Sequence, residues 1–372
     1  MINDDGTPPL FEAAHLSVTA GRVEPGRLTQ ARLLAGLTKT EVAHHTGVTP
    51  AAIGQYETGI NTPRAEVLVR IADCLDMRPD YFTVGRPLVP LDTLKAHFRS
   101  LRSARLGDRQ RALATAAQVW ELIFALERYV KLPDTNLPDI EPGTLPVDAA
   151  ARLRNHWRIP AGPVKHLVAT AESHGVVVIV RPVGAIEAVD AFSVVIVDRP
   201  ILITTPRRSE NVFRHRFTIA HELGHLLLHR SGEAQGHQIE READEFAAAF
   251  LTPAGSMDAA LPGRLDLAAL DRLGRTWGVS ASSLVLRMVE RNRTTESSAR
   301  RAFQRLSATF DPMDDPTRNY PGEQPSLLKK AVELAADHGT SLPAIADILR
   351  WKPARLRELL GIEETRPVLR MI

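Results

Sequence analysis

From Arg27 to about residue 85 the apolar residues fall at helical spacing and predict four short helices, at 27–35, 39–46, 50–57 and 64–75. Thr38, Thr49 and Thr62 stand where hydroxyl N-caps are wanted. A second helical stretch, 91–131, reads as a connector, and 132–146 carries four prolines and reads as a linker. Beyond it the period shortens. Gly175–Val180, Ala191–Val197 and Pro200–Thr205 are short β-branched runs, with Asp198-Arg199-Pro200 as the turn of a hairpin. Helices at Pro163–His174 and Phe213–Leu228 flank them, a further amphipathic helix covers Glu240–Pro253, and no internal repeat is evident.

The pattern predicts a multidomain α+β protein: an arm at 1–22, an all-α unit at 23–85, the connector, the linker, a mixed unit with a small sheet at 147–305, a second linker at 310–326 and a helical tail at 327–372. A length of 372 residues agrees with several units. No apolar run is long enough for a membrane span, the N-terminal residues lack the features of a signal peptide, and Cys74 is the single cysteine, so a cytoplasmic protein without membrane partners is expected. The net charge of +2 means that any attraction to nucleic acid must be local. Arg99, Arg102, Arg105 and Arg109 in the connector form either a solvated basic face or a partner surface. A faint second helix-turn-helix outline in the tail reads as packing or dimerisation.

In the N-terminal unit, "HTGVTP" places Gly47 to turn the chain and Val48 to anchor the turn between the second and third helices. With Gly36-Leu37-Thr38, Ala43, Ile53, Tyr56-Glu57, Gly59, Pro63 and Ile71-Ala72, the segment resembles the Cro/phage-repressor (XRE) class of helix-turn-helix domains. That resemblance implies that Lys39, Thr49, Ala51, Ala52 and Gln55 meet double-stranded DNA, Gln55 at an adenine edge and Lys39 at a phosphate. It also implies a homodimer as the means of gaining affinity.

In "FRHRFTIAHELGHLLLHR" two of the chain's 13 histidines stand four residues apart around a glutamate. On one helix face His221 and His225 can hold one metal ion, with Glu222 beside it as general base, which is the layout of a zinc hydrolase. Gly224 is costly inside a helix and permits close backbone approach. His229 lies about 12 Å along the axis from His221, too far to share the ion, and Ser231 stands where the metzincin pattern needs histidine. In "EREADEFAAAFLTP", Glu240 would complete a His2Glu site and Asp244 would orient a ligating histidine; Glu242 and His237 are rivals for the third position. His215, His237 and Arg216 are unranked candidates for an oxyanion stabiliser.

Over about 160–290, "DAFSVVIVDRPILITT", "RHRFTIAHELGHLLLH" and "EREADEFAAAFLTP" resemble the ImmA/IrrE metallopeptidase family, whose members often join a Cro-type helix-turn-helix to a zincin-like domain. The resemblance implies a cytoplasmic, Zn2+-dependent endopeptidase of gluzincin type that cleaves a transcriptional repressor or similar regulator in a mobile-element or stress response. The alternative is an XRE-type regulator whose peptidase-like domain senses a metal or ligand without proteolysis.

Overall fold

The computed structural model describes residues 22–91, 96–97, 106–180, 191–205, 211–229, 237–308 and 323–362. Residues 1–21 of the expected arm, Arg99, Arg102 and Arg105, and most of the second linker fall outside them.

Four helices open the chain: α1 (Pro25–Ala35), α2 (Lys39–Thr46), α3 (Pro50–Thr58) and α4 (Ala65–Cys74). Local chemistry sets their ends. Thr38 accepts from the Glu41 amide while Glu41 accepts from the Thr38 amide, a capping box on α2. Gly47 follows at φ 69° and Thr49 accepts from the Ala52 amide at 3.1 Å, so one turn closes α2 and caps α3. Leu28, Val42, Ile53 and Ile71 are buried between the four helices.

The stretch read as a helical connector is more than that. It supplies a two-residue strand, β1 (Ala96–His97), and one long helix, α5 (Leu106–Leu126), most of whose residues are buried. A helix that merely spaces two units would keep a solvated face; α5 is buried on every side from Ala114 to Ile123, its polar Gln118 and Glu121 included. Arg27 of α1 pairs with Glu121 of α5, and both are buried.

Residues 132–145 form no helix or strand, but they are tied down: Asn136 N donates to His174 O at 3.0 Å, and Thr135 Oγ1 donates to Asp198 O at 3.0 Å. Gly175, at φ 79°, lets them pass, since a Cβ there would stand 2.5 Å from Asp134 O.

Next come α6 (Pro146–His156) and α7 (Leu167–Ser173), then β2 (Val177–Val180), β3 (Ala191–Ile196) and β4 (Arg199–Thr204). The helix α6 has no counterpart among the elements expected from the sequence, and α7 starts at Leu167, four residues later than the pattern suggests. The true start of α7 is capped by the carboxylate of Glu323, which accepts from the amides of Leu167 at 3.0 Å and Val168 at 3.1 Å. A cap so distant in sequence leaves no local mark. Glu323, near the end of the expected second linker, is therefore buried, and Glu172 returns the favour by accepting from the amides of Ser326 and Leu327.

The sheet has the order β1-β3-β4-β2, with β2 parallel to β4 and the other pairs antiparallel. The hairpin turns at Val197 and Asp198, both at positive φ, one residue earlier than Asp198-Arg199-Pro200 suggests. A two-residue turn of that hand matches the twist of the strands, and Asp tolerates the conformation. Both faces are covered. Val177, Ile179, Phe192, Val194, Ile201 and Ile203 join a core with α1–α5 and the C-terminal helices, whereas Val178 and Leu202 join a second core beneath α8 (Val212–Leu228).

After α8 come α9 (His237–Leu251), α10 (Ala254–Ala260), α11 (Leu267–Trp277), α12 (Ala281–Glu290), α13 (Glu296–Ala308), α14 (Leu327–Asp337), α15 (Leu342–Ile348) and α16 (Pro353–Leu360). The last three pack on the first core: Arg350 donates to Thr83 O and Val84 O at 3.1 Å each, and Trp351 is fully buried. Among the described residues no helix is long and apolar enough to cross a membrane.

Candidate metal centre and candidate nucleic-acid interface

The helix α8 starts at Asn211, whose side chain accepts from the Arg214 amide at 3.1 Å, and is driven into the second core by Ile219, Ala220, Leu223, Leu226 and Leu227. Its partner is α9, which buries Ala243, Phe246, Ala247 and Phe250 in the same core. Gly224 sets their separation: a Cβ there would lie 3.0 Å from the Phe246 ring and 3.3 Å from Ala243 Cα. Close approach brings Glu240 of α9 against the histidine pair of α8.

His221 Nε2 and His225 Nε2 are 3.0 Å apart, and the Glu240 carboxylate lies 3.5 Å from the first and 3.7 Å from the second. Among the described residues these three form a group whose ligand atoms all lie within 4.8 Å of one another. Asp244 Oδ1 stands 2.8 Å from His221 Nδ1. A carboxylate only accepts, so His221 carries its proton on Nδ1 and turns the lone pair of Nε2 inward, toward His225 and Glu240. Two imidazole nitrogens and a carboxylate, buried or half-buried and converging, suit a divalent metal such as zinc.

Glu222 points to the sheet. Its Oε2 accepts from Ser193 Oγ of β3 at 2.7 Å, and both residues are buried. Ser193 faces α8 because Phe192 and Val194 face the other core. Sequence reading missed Ser193, whose only trace is a small polar residue inside an apolar strand.

The structure separates the rivals. Glu242 does not join Glu240: its Oε2 stands 3.0 Å from His229 Nε2, and its Oε1 accepts from Gln238 Nε2 at 2.8 Å. His229 in turn stands 3.0 Å, Nδ1 to Nδ1, from His225. Burial lowers the pKa of His229 and outweighs the neighbouring Glu242 carboxylate, which opposes the shift. Burial alone would raise the Glu242 carboxyl; hydrogen bonds from His229 and Gln238 hold it below the usual range. His237 is exposed at the first residue of α9. Arg216 is fully buried, pairs with Glu323 and donates to Gly278 O at 2.8 Å and Val164 O at 2.7 Å. His215 is buried, and burial pushes its pKa down to about 4.

At the other end of the molecule Thr49, Ala51 and Gln55 are exposed on α3, while Ala52 is half-buried, a departure from the expected reading face. The Ala52 amide is engaged by Thr49 in the cap of α3. Gln55 Oε1 accepts from Asn61 Nδ2 at 2.7 Å, so its amide is held by a residue that sequence reading did not single out. Lys39 Nζ lies 3.4 Å from Glu57 Oε2, which also binds Arg32, so the ammonium sits in a small charge cluster beside α3.

Comparison with known families gives two matches. Residues 28–82 match the helix-turn-helix family HTH_3, and residues 171–289, from within α7 to within α12, match the IrrE N-terminal-like domain, Peptidase_M78. The chain therefore joins an XRE-type helix-turn-helix, a DNA-binding module, to a metallopeptidase-like domain. No protein of curated function matches it.

Proposed function

We propose that this chain is a zinc-dependent endopeptidase of the cytoplasm that also binds double-stranded DNA, and that its substrate is a transcriptional repressor or similar regulator. The observation that carries the reading is Glu222: a buried carboxylate held by Ser193, one residue from a histidine that converges with His225 and Glu240. A site that only sensed a metal would have no use for it.

His221, His225 and Glu240 would hold the ion, and Asp244 would keep His221 in its ligating tautomer. Zinc bound there supplies Lewis acidity, which polarises a peptide carbonyl and acidifies water. Glu222 does the proton work. Its Oε2 is engaged by the Ser193 hydroxyl, which holds the carboxyl group in one orientation, and Oε1 can take a proton from water and pass it to the departing amine.

On the DNA side, Lys39, Thr49, Ala51, Ala52 and Gln55 would face the duplex, with Gln55 and Asn61 acting as one paired amide group and Ala52 contributing only a methyl edge. Two copies of the chain would bind adjacent half-sites.

Glu222→Gln tests the catalytic reading. The variant should bind zinc as the parent does, while cleavage of a co-expressed repressor encoded beside it falls by at least about 100-fold. Cleavage at the parental rate would refute the assignment.

A further inference from the structure

Behind His225, on the side of its ring away from Glu240, stands a second histidine. Its Nδ1 lies 3.0 Å from His229 Nδ1, and His229 Nε2 lies 3.0 Å from Glu242 Oε2. Glu242 is anchored from the other side by Gln238, which donates to Oε1 at 2.8 Å. The protons along this chain can be assigned from its end inward. A carboxylate accepts only, so His229 donates through Nε2. A neutral imidazole carries one proton, so His229 Nδ1 is then an acceptor, and the hydrogen bond to it must come from His225 Nδ1. That leaves His225 Nε2 with a lone pair, directed at His221 Nε2 3.0 Å away and at the Glu240 carboxylate.

We propose that His229 and Glu242 are positioning residues, acting through one another to hold His225 in the single tautomer able to bind the metal. The inference rests on the metal-centre reading above and gives roles to two residues outside the ligand set. It also makes the two histidine ligands equivalent. Asp244 acts on His221 directly, from α9, and Glu242 acts on His225 through a histidine one turn further along α8. Both carboxylates come from α9, two residues apart, so a single helix orients both ligands. The relay is needed because His225 is fully buried, whereas His221 is half-buried and lies within reach of the exposed Asp244.

The test has two arms. In metal-free, histidine-labelled protein, long-range proton–nitrogen correlation should find His225 protonated on Nδ1 and His229 on Nε2; Glu242→Ala should turn His225 into a mixture of tautomers. Finding His225 protonated on Nε2 in the parent protein overturns the proposal. In the second arm, zinc is titrated against a chromophoric chelator. His229→Leu and Glu242→Ala should each weaken binding by about 10- to 100-fold, while His229→Asn, whose side-chain carbonyl can accept where Nδ1 did, should retain most of it. Parental affinity in His229→Leu or in Glu242→Ala also overturns the proposal. Glu242 is partly exposed, so its variant keeps the test decisive if the His229 variants fail to fold. If the parent protein itself fails to bind zinc, the metal-centre reading falls, whereas the tautomer arm still judges the relay alone.

Discussion

His215 and Glu222 lie on the same helix and both are buried, yet burial serves opposite ends. Glu222 is given a donor, Ser193, and stays useful. His215 is pushed down to about 4 by burial and stays neutral in the folded protein at ordinary pH. The unfolded chain would titrate that group near 6.5, so below that value the unfolded state binds the extra proton and gains on the folded one. The contribution of His215 is therefore complete above about pH 6.5 and drains away as the pH falls toward 4, to a total of about 3 kcal/mol. Urea unfolding at pH 7 and pH 5 should show lower stability at pH 5, and His215→Leu should flatten that difference; an unchanged slope would show that another group titrates.

At the scale of elements, the separation of α8 and α9 decides whether a metal centre exists. Gly224 faces Phe246 and Ala243 at distances that leave no room for a branched side chain. Gly224→Val should force the helices apart, cost about 1–3 kcal/mol by overpacking, and weaken zinc binding more than any exposed substitution on α9 outside 240, 242 and 244. Chelator competition and thermal unfolding on the same samples check both halves. At one edge of the sheet lies β1. Its two residues pair with Ser193 and Val194, along the outer edge of the strand whose serine holds Glu222, so the edge of the sheet nearest the site is partly paired within the chain. Nothing in the alternation of 91–105 announces a strand, because two residues have no period to read.

For the whole molecule, a single core runs from α1–α4 through α5 to one face of the sheet and on to α14–α16. The DNA-reading end and the sheet that carries Ser193 are thus not joined by a flexible tether. Arg27 and Glu121 sit at the seam, with Gln30 and Arg86 close by, and burial lowers the Arg86 pKa to about 10. Removing the carboxylate would leave buried guanidinium groups without their counter-charge. Glu121→Gln should destabilise the protein by about 3–5 kcal/mol, and because the core is shared, circular dichroism and a fluorescent probe on α3 should report the same unfolding midpoint. Separate midpoints would show that the two ends unfold independently.

What the sequence determined by itself is what depends on neighbours a few residues away. The caps at Thr38 and Thr49, the turn at Gly47, the hairpin to within one residue and the His221/Glu222/His225 spacing follow from local backbone geometry, which repeats wherever the residues do. Glu240 was legible only as one of two rival carboxylates, with Glu242, on the acidic helix after the histidine helix; the packing of α9 on α8 is what brings Glu240 to the pair. Tertiary structure decided the rest: Ser193 behind Glu222, Glu242 turned to His229 and not to the histidine pair, Glu323 capping α7, and α5 as the middle of a core where a connector was expected. Those choices depend on the rotation and spacing of whole elements packed against one another, set by shape and burial over distances that no window along the chain contains.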